Sequence, residues 1–484
     1  MKSKYTATIG IECHVQLHTM TKLFAAVAND AREAEPNTLV SHICFGMPGA
    51  LPVLNEKVVE HAARLAFAFN VEPQRHSFFE RKHYFYPDLP KGYQITQLDS
   101  PIIKGGEVRI TVDGEQKTVR LNRVQIEEDA GKNTHPAGAD YSLVDLNRAG
   151  TPLFEIVSEP DIHTPAEAKA YARELYLLVR YGGVSNADLY HGNMRFDVNV
   201  SVSDSDKLGT RSETKNLNSF RSVEKATEYE INRQIDLLEK GEKVMQETRG
   251  WDDTMQKTIS QRSKEEAHDY RYFPDPDLPP IELSDLQIQD AEQSLPTMPG
   301  EWRERLAEAG VDSGQIETLL EAELEYELGY MQQVEKAAAE DAKPLANLLV
   351  NVEVPLRRDD SVTINLDNET VRKALYEATL RLINQNKISS TNAKALITTV
   401  LTSGAEPKDI AKYAEEQGLL QVSDEGEIEA IVENVIAQNQ GAADDVRNGE
   451  AKAIGFLVGQ VMKASKGKAN PQLAKDTLRK KLEG

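Results

Sequence analysis

The stretch from Thr8 to His18 alternates strictly between apolar and polar residues, and it constrains the fold more than any other segment. Since successive side chains of a β-strand point to opposite faces, it predicts a half-buried strand with one polar face. That face carries Glu12 and His14, which lie about 7 Å apart along an ordinary strand. A carboxylate and an imidazole can hold a hard cation, but an ordinary solvated sheet face explains the same pattern.

Length and composition limit the class of protein. A chain of 484 residues with 40% apolar and 28% charged residues predicts a globular protein of two to four domains. No stretch is long and apolar enough for a bilayer span, and the first residues carry no signal-peptide core. Two cysteines argue against a disulfide framework and favour a reducing, cytoplasmic location.

Charge is distributed unevenly along the chain. The net charge of −22 gives no general support to nucleic-acid binding, which needs Lys and Arg. Residues 451–484 nevertheless hold eight basic residues against two acids, a local balance of +6. This basic end fits either a solvated helix terminus or a contact with a phosphate backbone. The basic residues are Lys452, Lys463, Lys466, Lys468, Lys475, Arg479, Lys480 and Lys481.

Composition also divides the chain into three parts. Residues 1–294 are rich in strand patterns, Gly and Pro, and we predict a sheet-containing domain there. From 295 to 405 Gly becomes sparse and Ala, Glu and Leu dominate, which predicts a helical domain. Residues 406–484 form a small helical tail in this division. Asn55 and Thr164 are predicted to begin helices of the first domain, and Asn470 to begin the last helix.

A second alternating stretch, residues 194–203, is followed after a short polar loop by another, residues 210–218. Arg195 and Asp197 share one face of the first stretch, while Arg211, Glu213 and Lys215 share one face of the second. Two such strands predict an antiparallel hairpin with adjacent polar faces. Together with the first strand, they predict a cleft floor suited to a charged ligand.

The strand predicted before residue 129 ends in three consecutive acids, Glu127, Glu128 and Asp129. Their mutual repulsion is relieved either by a bound cation or by solvent at a strand end. A regular strand sends Glu127 and Glu128 to opposite faces, and the sequence leaves open which one points inward.

Residues 79–97 contain two prolines, a glycine and many aromatic and cationic side chains, so we predict a loop. Such a loop can stack a base and hold phosphates, or can equally be packed aromatics with solvated cations. Its candidates for substrate contact are Lys82, Tyr84, Tyr86, Asp88 and Lys91.

Several standard signatures are absent. The chain has no Gly-x4-Gly-Lys-Ser/Thr loop, no Gly-x-Gly-x-x-Gly and no His-Glu-x-x-His. Cys13 falls on the apolar face of the first strand, which predicts a buried side chain rather than a thiol nucleophile.

Eight long blocks in one order resemble the B-subunit family of the bacterial glutamyl/aspartyl-tRNA amidotransferases, and the likeness runs nearly end to end. The blocks are Gly10–Leu17, Arg81–Gln94, Glu127–Lys132, Val144–Leu153, Glu155–Asp161, Arg195–Ser201, Lys215–Ser219 and Asp269–Asp277, and Gly455–Gly467 extends them into the tail.

This resemblance implies an α+β protein: a glutamine-synthetase-like cradle with an antiparallel sheet, then an all-α domain and a tail that binds tRNA. It implies a C–N ligase activity, in which ATP phosphorylates the side-chain carboxylate of Glu-tRNA(Gln) or Asp-tRNA(Asn) and ammonia then displaces phosphate. It further implies a heterotrimer in which the two partners are an amidase, the A subunit, and a small C subunit.

The resemblance also implies roles for particular residues. Mg²⁺, which would carry ATP, is expected on Glu12, His14 and Glu128, with Glu127 and Asp197 close by. Phosphate handling or the ammonia entrance is expected to involve Lys82, Asp88, Lys91 and Lys215, with Tyr84, Tyr86 and Arg195 lining the substrate path.

Two other functions remain open on sequence grounds. One is an RNA-binding scaffold whose polar sheet face is structural and whose chemistry is supplied by partners. The other is synthesis of free glutamine, which would require no tRNA.

Overall fold

The computed structural model describes residues 4–263, 270–366, 368–421, 425–448, 450–465 and 469–482. It divides into two compact units, Met1–Gly300 and Glu301–Gly484. The first unit carries the sheets and the second is helical, so the predicted α+β class is confirmed.

The first unit consists mainly of short strands and a few long helices. Its helices are α1 Glu56–Ala68, α2 Pro165–Tyr181, α3 Phe220–Glu239 and α4 Asp285–Gln293. Its strands are β1 Thr6–Gln16, β2 His76–Ser77, β3 Glu80–His83, β4 Tyr93–Thr96, β5 Ile103–Lys104, β6 Glu107–Val112, β7 Glu115–Glu128, β8 Lys132–Thr134, β9 Leu143–Asp145, β10 Pro152–Ser158, β11 Met194–Ser203, β12 Ser212–Leu217, β13 Glu247–Asp252, β14 Lys257–Ser263, β15 Phe273–Pro274 and β16 Ile281–Glu282.

Strand β1 lies inside the main sheet, whose order is β14-β13-β12-β11-β1-β10-β7-β5, with β6 also paired to β7. The pairs are antiparallel apart from β12 with β13, which run parallel. The apolar odd positions of β1 are buried in one core with side chains of α1, α2 and α3. The helices therefore cover one face of the sheet, and the even positions face the other way.

The register of β1 places polar residues of neighbouring strands side by side. Glu12 pairs with Asp197 of β11, and His14 pairs with Arg195 of β11 and Glu155 of β10. The β11–β12 hairpin is antiparallel as predicted. Because neighbouring strands lie about 4.8 Å apart, these side chains form one continuous polar surface.

Two local predictions had different outcomes. Residues 79–97 were predicted as a loop, but the structure contains the antiparallel pair β3–β4 there, with the prolines confined to the connection between the strands. Strand β3 is only four residues long and contains no apolar residue, so it shows no alternation that would indicate a strand. The predicted helix starts are confirmed, since Asn55 accepts a hydrogen bond from the backbone of Lys57, and Thr164 from that of Glu167.

The second unit is built from helices. They are α5 Pro299–Glu308, α6 Ser313–Tyr326, α7 Tyr330–Glu335, α8 Ala339–Leu348, a π-helical turn Leu349–Glu353, α9 Val354–Arg358, α10 Glu369–Asn384, α11 Ser390–Ser403, α12 Ile410–Glu416, α13 Glu425–Gln438, α14 Gln440–Arg447, α15 Ala451–Ala464 and α16 Pro471–Leu482.

The tail predicted from residue 406 has an apolar cluster of its own, but that cluster extends from Ile428 to Leu482. Helix α12 packs instead against α10, among the preceding helices. The boundary at 405/406 stays a prediction. Among the helices of the described residues, none has the length and apolar character needed to cross a bilayer.

A buried histidine in α1 gives the first testable prediction. His61 is 4% exposed, and burial lowers its pKa to about 4 from an ordinary 6.5. As pH falls below 6.5 the unfolded chain therefore binds a proton that the folded chain does not, so stability decreases. At pH 5 we expect a loss of about 2 kcal/mol relative to pH 8.

Urea unfolding of a Trp302→Phe background, followed by Trp251 fluorescence, measures this free energy for the first unit. His61→Gln can still donate a hydrogen bond to the carbonyl oxygen of His18 but cannot titrate. In the His61→Gln variant, the free energy of unfolding should no longer show the part of its decrease between pH 6.5 and 5 that His61 causes. If the free energy of unfolding depended on pH equally in both proteins, the lowered pKa of His61 would be contradicted.

Candidate functional site

Two groups of the described residues could hold a metal ion and are called the metal-ligating groups; the first combines His14 of β1, Glu127 of β7 and Glu155 of β10. One ligand atom from each lies within 4.8 Å of the others, and His14 Nε2 lies 3.9 Å from Glu127 Oε1. Burial, together with repulsion between the two carboxylates, raises the pKa of Glu155, and burial raises the pKa of Glu127. Two buried acids beside an imidazole are stabilised by a cation, so these residues fit a divalent metal ion.

A second group lies next to the first on the same face and consists of Glu12, Asp197 and Glu213. Their oxygens are again within 4.8 Å of one another. Burial is the main reason that the pKa of Glu12 is raised, and Glu155, Glu213 and Asp197 raise it further. The Nζ of Lys215 lies 3.0 Å from Asp197 and 3.1 Å from Glu213, which offsets part of this negative charge.

Lys82 of β3 faces the first group from an aromatic setting. Its Nζ lies 4.9 Å from the ring centre of Tyr270 and 5.9 Å from that of Tyr84. Burial opposes the charge, but Glu127 raises the pKa of Lys82, so the ammonium is retained beside the carboxylates. Lys82 and Tyr84, both named from the sequence, therefore lie beside the first metal-ligating group, and their roles in the reaction stay a prediction.

The three consecutive acids point to three different partners. Glu127 joins the first metal-ligating group, whereas Glu128 pairs with Lys91 and accepts a hydrogen bond from the backbone of Ile95, 3.0 Å away. Among the described residues Glu128 belongs to neither metal-ligating group, so its expected role as a metal ligand stays a prediction. Alternation along β7 sends it to the opposite side from Glu127.

Asp129 lies just beyond β7 and is paired with Arg195, whose Nη2 is 3.4 Å from the carboxylate. Burial opposes ionisation there, but Arg195 and Arg148 hold the pKa of Asp129 below its usual range. The ion pair with the buried carboxylate of Asp129 thus holds the guanidinium of Arg195 in place, next to His14 on the polar face.

The remaining predicted residues lie in the β3–β4 connection. Lys91 is paired with Glu128, which takes it away from the metal-ligating groups. Asp88 is half-buried, and its backbone oxygen accepts a hydrogen bond from Gly131. Tyr86 is 53% exposed, with its ring 6.2 Å from that of Tyr84. These residues border the site but do not join its carboxylates.

Sequence reasoning did not assign two of the six clustered ligands, Glu155 and Glu213. Each is a single acid flanked by residues that the structure buries, Phe154 and Ile156 in one strand and Ser212 and Thr214 in the other. The available signal for Glu213 was its place between Arg211 and Lys215 on one strand face, and for Glu155 it was a single acid among apolar neighbours. The other members of each group come from strands that are distant in sequence, so the sequence alone could not show that these side chains meet.

The chain is similar to known proteins along nearly its whole length. Residues 7–289 match the family model described as the GatB/GatE catalytic domain, and residues 330–482 match the one described as the GatB domain. The chain is 43% identical to the B subunit of the aspartyl/glutamyl-tRNA(Asn/Gln) amidotransferase of Carboxydothermus hydrogenoformans, with 99% of each chain covered. It is 46% identical to the B subunit of the same name from Geotalea uraniireducens, covering 99% of this chain and 100% of the relative.

The chain belongs to the B-subunit family of the aspartyl/glutamyl-tRNA amidotransferases. The catalytic-domain match contains both metal-ligating groups, and the second match contains the basic end of the chain. The resemblance seen in the sequence is therefore confirmed at the level of the family. Membership in a family of B subunits also indicates that the chain works within a multi-subunit complex.

Proposed function

We propose that this chain is the carboxylate-activating component of a tRNA-dependent amidotransferase. Its substrate is the side-chain carboxylate of Glu on tRNA(Gln) or of Asp on tRNA(Asn), and its products are Gln-tRNA(Gln) or Asn-tRNA(Asn). The observation that carries the proposal is the pair of adjoining acidic groups on one sheet face, in a chain of this family. An RNA-binding scaffold with a purely structural sheet would not need these six clustered residues, three of which, Glu12, Glu127 and Glu155, are acids whose pKa burial raises.

The reaction consists of two steps, phosphorylation of the carboxylate and displacement of phosphate by ammonia. A carboxylate oxygen attacks the γ-phosphorus of ATP, an O–P bond forms, and ADP leaves with the electrons of the broken bond. Ammonia then attacks the carbonyl carbon, the C–O bond to phosphate breaks, and a proton is released. Phosphate is a far better leaving group than oxide, which is why activation must come first.

The residues present can support phosphoryl transfer by position and charge. A divalent cation, with Mg²⁺ as the expected ion, would be held by His14, Glu127 and Glu155 and would neutralise phosphate charge. Lys82 provides a retained positive charge beside that group, able to pair with a phosphate or acyl-phosphate oxygen. His14 is half-buried, and its Nε2 lies 3.9 Å from Glu127 Oε1, so this nitrogen could join the two carboxylates in holding the ion.

The ammonia is proposed to come from a partner, the amidase that forms the A subunit. A small C subunit is proposed to complete a heterotrimer, which works in the cytoplasm. Both cysteines are buried, and Cys13 belongs to the apolar core beneath β1. Neither offers the exposed thiol that a glutaminase centre would require. Nitrogen delivery by another protein of the complex accounts for this arrangement.

The direct test is transfer of radioactive γ-phosphate from ATP to Glu-tRNA(Gln) or Asp-tRNA(Asn) by the assembled complex, with ammonium chloride supplied afterwards. We expect an acid-stable amide only with aminoacyl-tRNA, ATP and Mg²⁺ together. ATP consumption with free glutamate and no tRNA would favour free glutamine synthesis instead.

The basic end of the chain is proposed to contact the tRNA backbone. Lys463 in α15 and Lys480 in α16 are exposed. Lys466 and Lys468, also singled out in the sequence, lie outside the described residues. Replacing Lys463 and Lys480 with Gln should raise the KM for tRNA about tenfold and leave kcat with ammonia within about twofold, because counterion release contributes to affinity only.

A matched double variant, Lys387→Gln with Lys394→Gln, removes two exposed charges near and within α11. It should leave the KM for tRNA unchanged. The slope of log KM against log salt should also fall by about two in magnitude for the tail variant. An unchanged KM and slope would contradict a tRNA contact at this end.

A further inference from the structure

A lysine and a cysteine are in contact in the first unit, outside both metal-ligating groups. Both lie in the segment between β1 and α1, where Lys22 is 1% exposed and Cys44 is 7% exposed. The Nζ atom of Lys22 lies 3.6 Å from the Sγ atom of Cys44. Lysine is almost never fully buried unless a charged group pairs with it. Lys22 has no ion-pair partner among the described residues, so its burial beside a thiol requires another explanation.

Backbone carbonyls surround the amino group of Lys22. Its Nζ donates to Leu39 O and to Ala149 O, each 2.7 Å away, and more weakly to Leu146 O at 3.5 Å. An ammonium has three protons to donate, whereas a neutral amine keeps two, which match the two short contacts. Loss of the third proton leaves a lone pair on the side of the two longer contacts, one of which is with Cys44.

Burial makes the charged form of Lys22 costly. It lowers the pKa of Lys22, and the nearby groups of Cys44, Asp145 and Glu128 offset this effect only in part. The carboxylate of Glu128 is paired with Lys91 instead, and that of Asp145 accepts hydrogen bonds from backbone amides. A lysine with a lowered pKa supplies the neutral amine that acts as a nucleophile.

Cys44 is held in a short turn and borders a very small cavity. The backbone N–H of Phe45 donates to Ser41 O over 3.1 Å, and the hydroxyl of Ser41 lies 3.5 Å from Cys44 Sγ. Leu89 and Lys91 line the cavity on the side away from this turn, and the volume open to the centre of a water-sized molecule there is about 10 Å³. One water-sized molecule needs roughly 10–15 Å³ of such volume. The cavity therefore admits a small peroxide but no larger substrate.

We propose that hydrogen peroxide converts Lys22 and Cys44 into a sulfur–nitrogen cross-link, a modification site that is independent of the proposed function. The amine takes the thiol proton, and the thiolate attacks one peroxide oxygen. The O–O bond breaks, and the departing hydroxide takes the proton back from the ammonium, which gives a sulfenic acid and water. The neutral amine then attacks the sulfur, an N–S bond forms, the S–O bond breaks, and hydroxide leaves with an amine proton as a second water. Sulfur is thereby oxidised by two electrons, which reduce the peroxide.

The second cysteine of the chain serves as an internal control. Cys13 is also buried, at 0% exposure, but it lies in the apolar core, and burial raises the pKa of its thiol. A thiol without a base beside it forms little thiolate, so it reacts slowly with peroxide. If burial alone decided reactivity, the two cysteines would behave alike. The proposal requires Cys44 to be oxidised while Cys13 stays reduced.

The experiment treats the assembled complex with hydrogen peroxide, digests it with trypsin in the absence of reductant and identifies the peptides by mass spectrometry. A modified Lys22 blocks cleavage, so residues 5–32 should remain one peptide, joined to residues 33–57 with the net loss of two hydrogen atoms. The separate peptide of residues 5–22 should disappear to the same extent. Reduction with dithiothreitol should restore it. Cys13 should still react with an alkylating reagent that is added after unfolding.

Two variants separate the roles of the neighbours of Cys44. Lys22→Met removes the amine and keeps an unbranched side chain, so oxidation should stop at a sulfenic acid, which dimedone traps. Ser41→Ala removes the other polar neighbour of Cys44 and is the matched control, which should form the cross-link to the wild-type extent. Circular dichroism shows whether each variant is folded, and the wild-type protein with its two cysteines decides the case if Lys22→Met is not.

Three results for the wild-type protein would overturn the proposal. A disulfide between Cys13 and Cys44 also loses two hydrogen atoms, but trypsin would still cleave after Lys22. A linked product that kept the peroxide oxygen would contradict the condensation step. Equal oxidation of both cysteines without any linked peptide would show that the contact of Lys22 with Cys44 is only structural.

Discussion

Replacing Glu127 with Gln is expected to lower ATP-dependent phosphorylation of the aminoacyl-tRNA at least about 100-fold. The amide keeps the size of the side chain and the acceptor for Thr96, 3.1 Å away, but removes the charge that faces His14 and Lys82. Removing one preorganised donor from an oxyanion hole costs about 10²–10³ in rate, and we expect a loss of similar size when a charged group is removed from this site. Transfer of labelled γ-phosphate in a single turnover measures the effect without the ammonia step.

Glu155→Gln should reproduce this loss, because Glu155 belongs to the same group as Glu127. Raising Mg²⁺ should partly restore both variants if the charge serves to hold a cation. The matched control is Glu80→Gln, also buried at 2% exposure, whose carboxylate accepts hydrogen bonds from the backbones of Leu98 and Asp99 instead. Normal phosphorylation by Glu127→Gln would remove the basis of the catalytic proposal.

The second large effect is expected in the helical unit, where Glu353 is fully buried at the centre of an ionic network. It accepts hydrogen bonds from Arg372 at 3.1 Å, Arg357 at 2.8 Å and Tyr376 at 2.6 Å. Arg372 is itself only 1% exposed. Glu353→Gln would leave that guanidinium buried without its counter-charge, so we expect a loss of about 3–5 kcal/mol in the free energy of unfolding.

Urea unfolding followed by Trp302 fluorescence in a Trp251→Phe background restricts the measurement to this unit. The matched control is Glu369→Gln, on the exposed pair with Lys373 in α10. An exposed pair of this kind contributes little to stability, so the control should unfold at nearly the wild-type urea concentration. A loss no larger for Glu353→Gln than for Glu369→Gln would show that the network is not stabilising.

The sequence was sufficient to predict a strand or a helix wherever a single segment carries its own periodicity or capping residue. Strand β1 and the β11–β12 hairpin follow from alternation, and the capped starts of α1 and α2 follow from Asn55 and Thr164. Four site residues could be named from the sequence because each lies on a recognisable polar strand face or at a strand end. They are Glu12, His14, Glu127 and Asp197. The family resemblance identified the chemistry that such residues would serve.

The rest depended on how distant strands pair. Nothing local shows that β10 lies between β1 and β7, and this pairing is what brings Glu155 to His14 and Glu127. The side to which Glu128 points was open in the sequence for the same reason, since strand pairing sets which of two neighbouring acids lies on the polar face.

Strand β1 pairs with both of its neighbours without a bulge. Its residues Glu12 and His14 belong to different metal-ligating groups, separated by one rigid repeat of the backbone. Inserting or deleting a single residue before Glu12 would reverse the faces of the strand, so that Glu12 and His14 would both point into the core and each group would lose one member. Homologous chains should therefore vary in length at the β6–β7 turn, Asp113–Gly114, while the span from Thr6 to Gln16 keeps a constant number of residues.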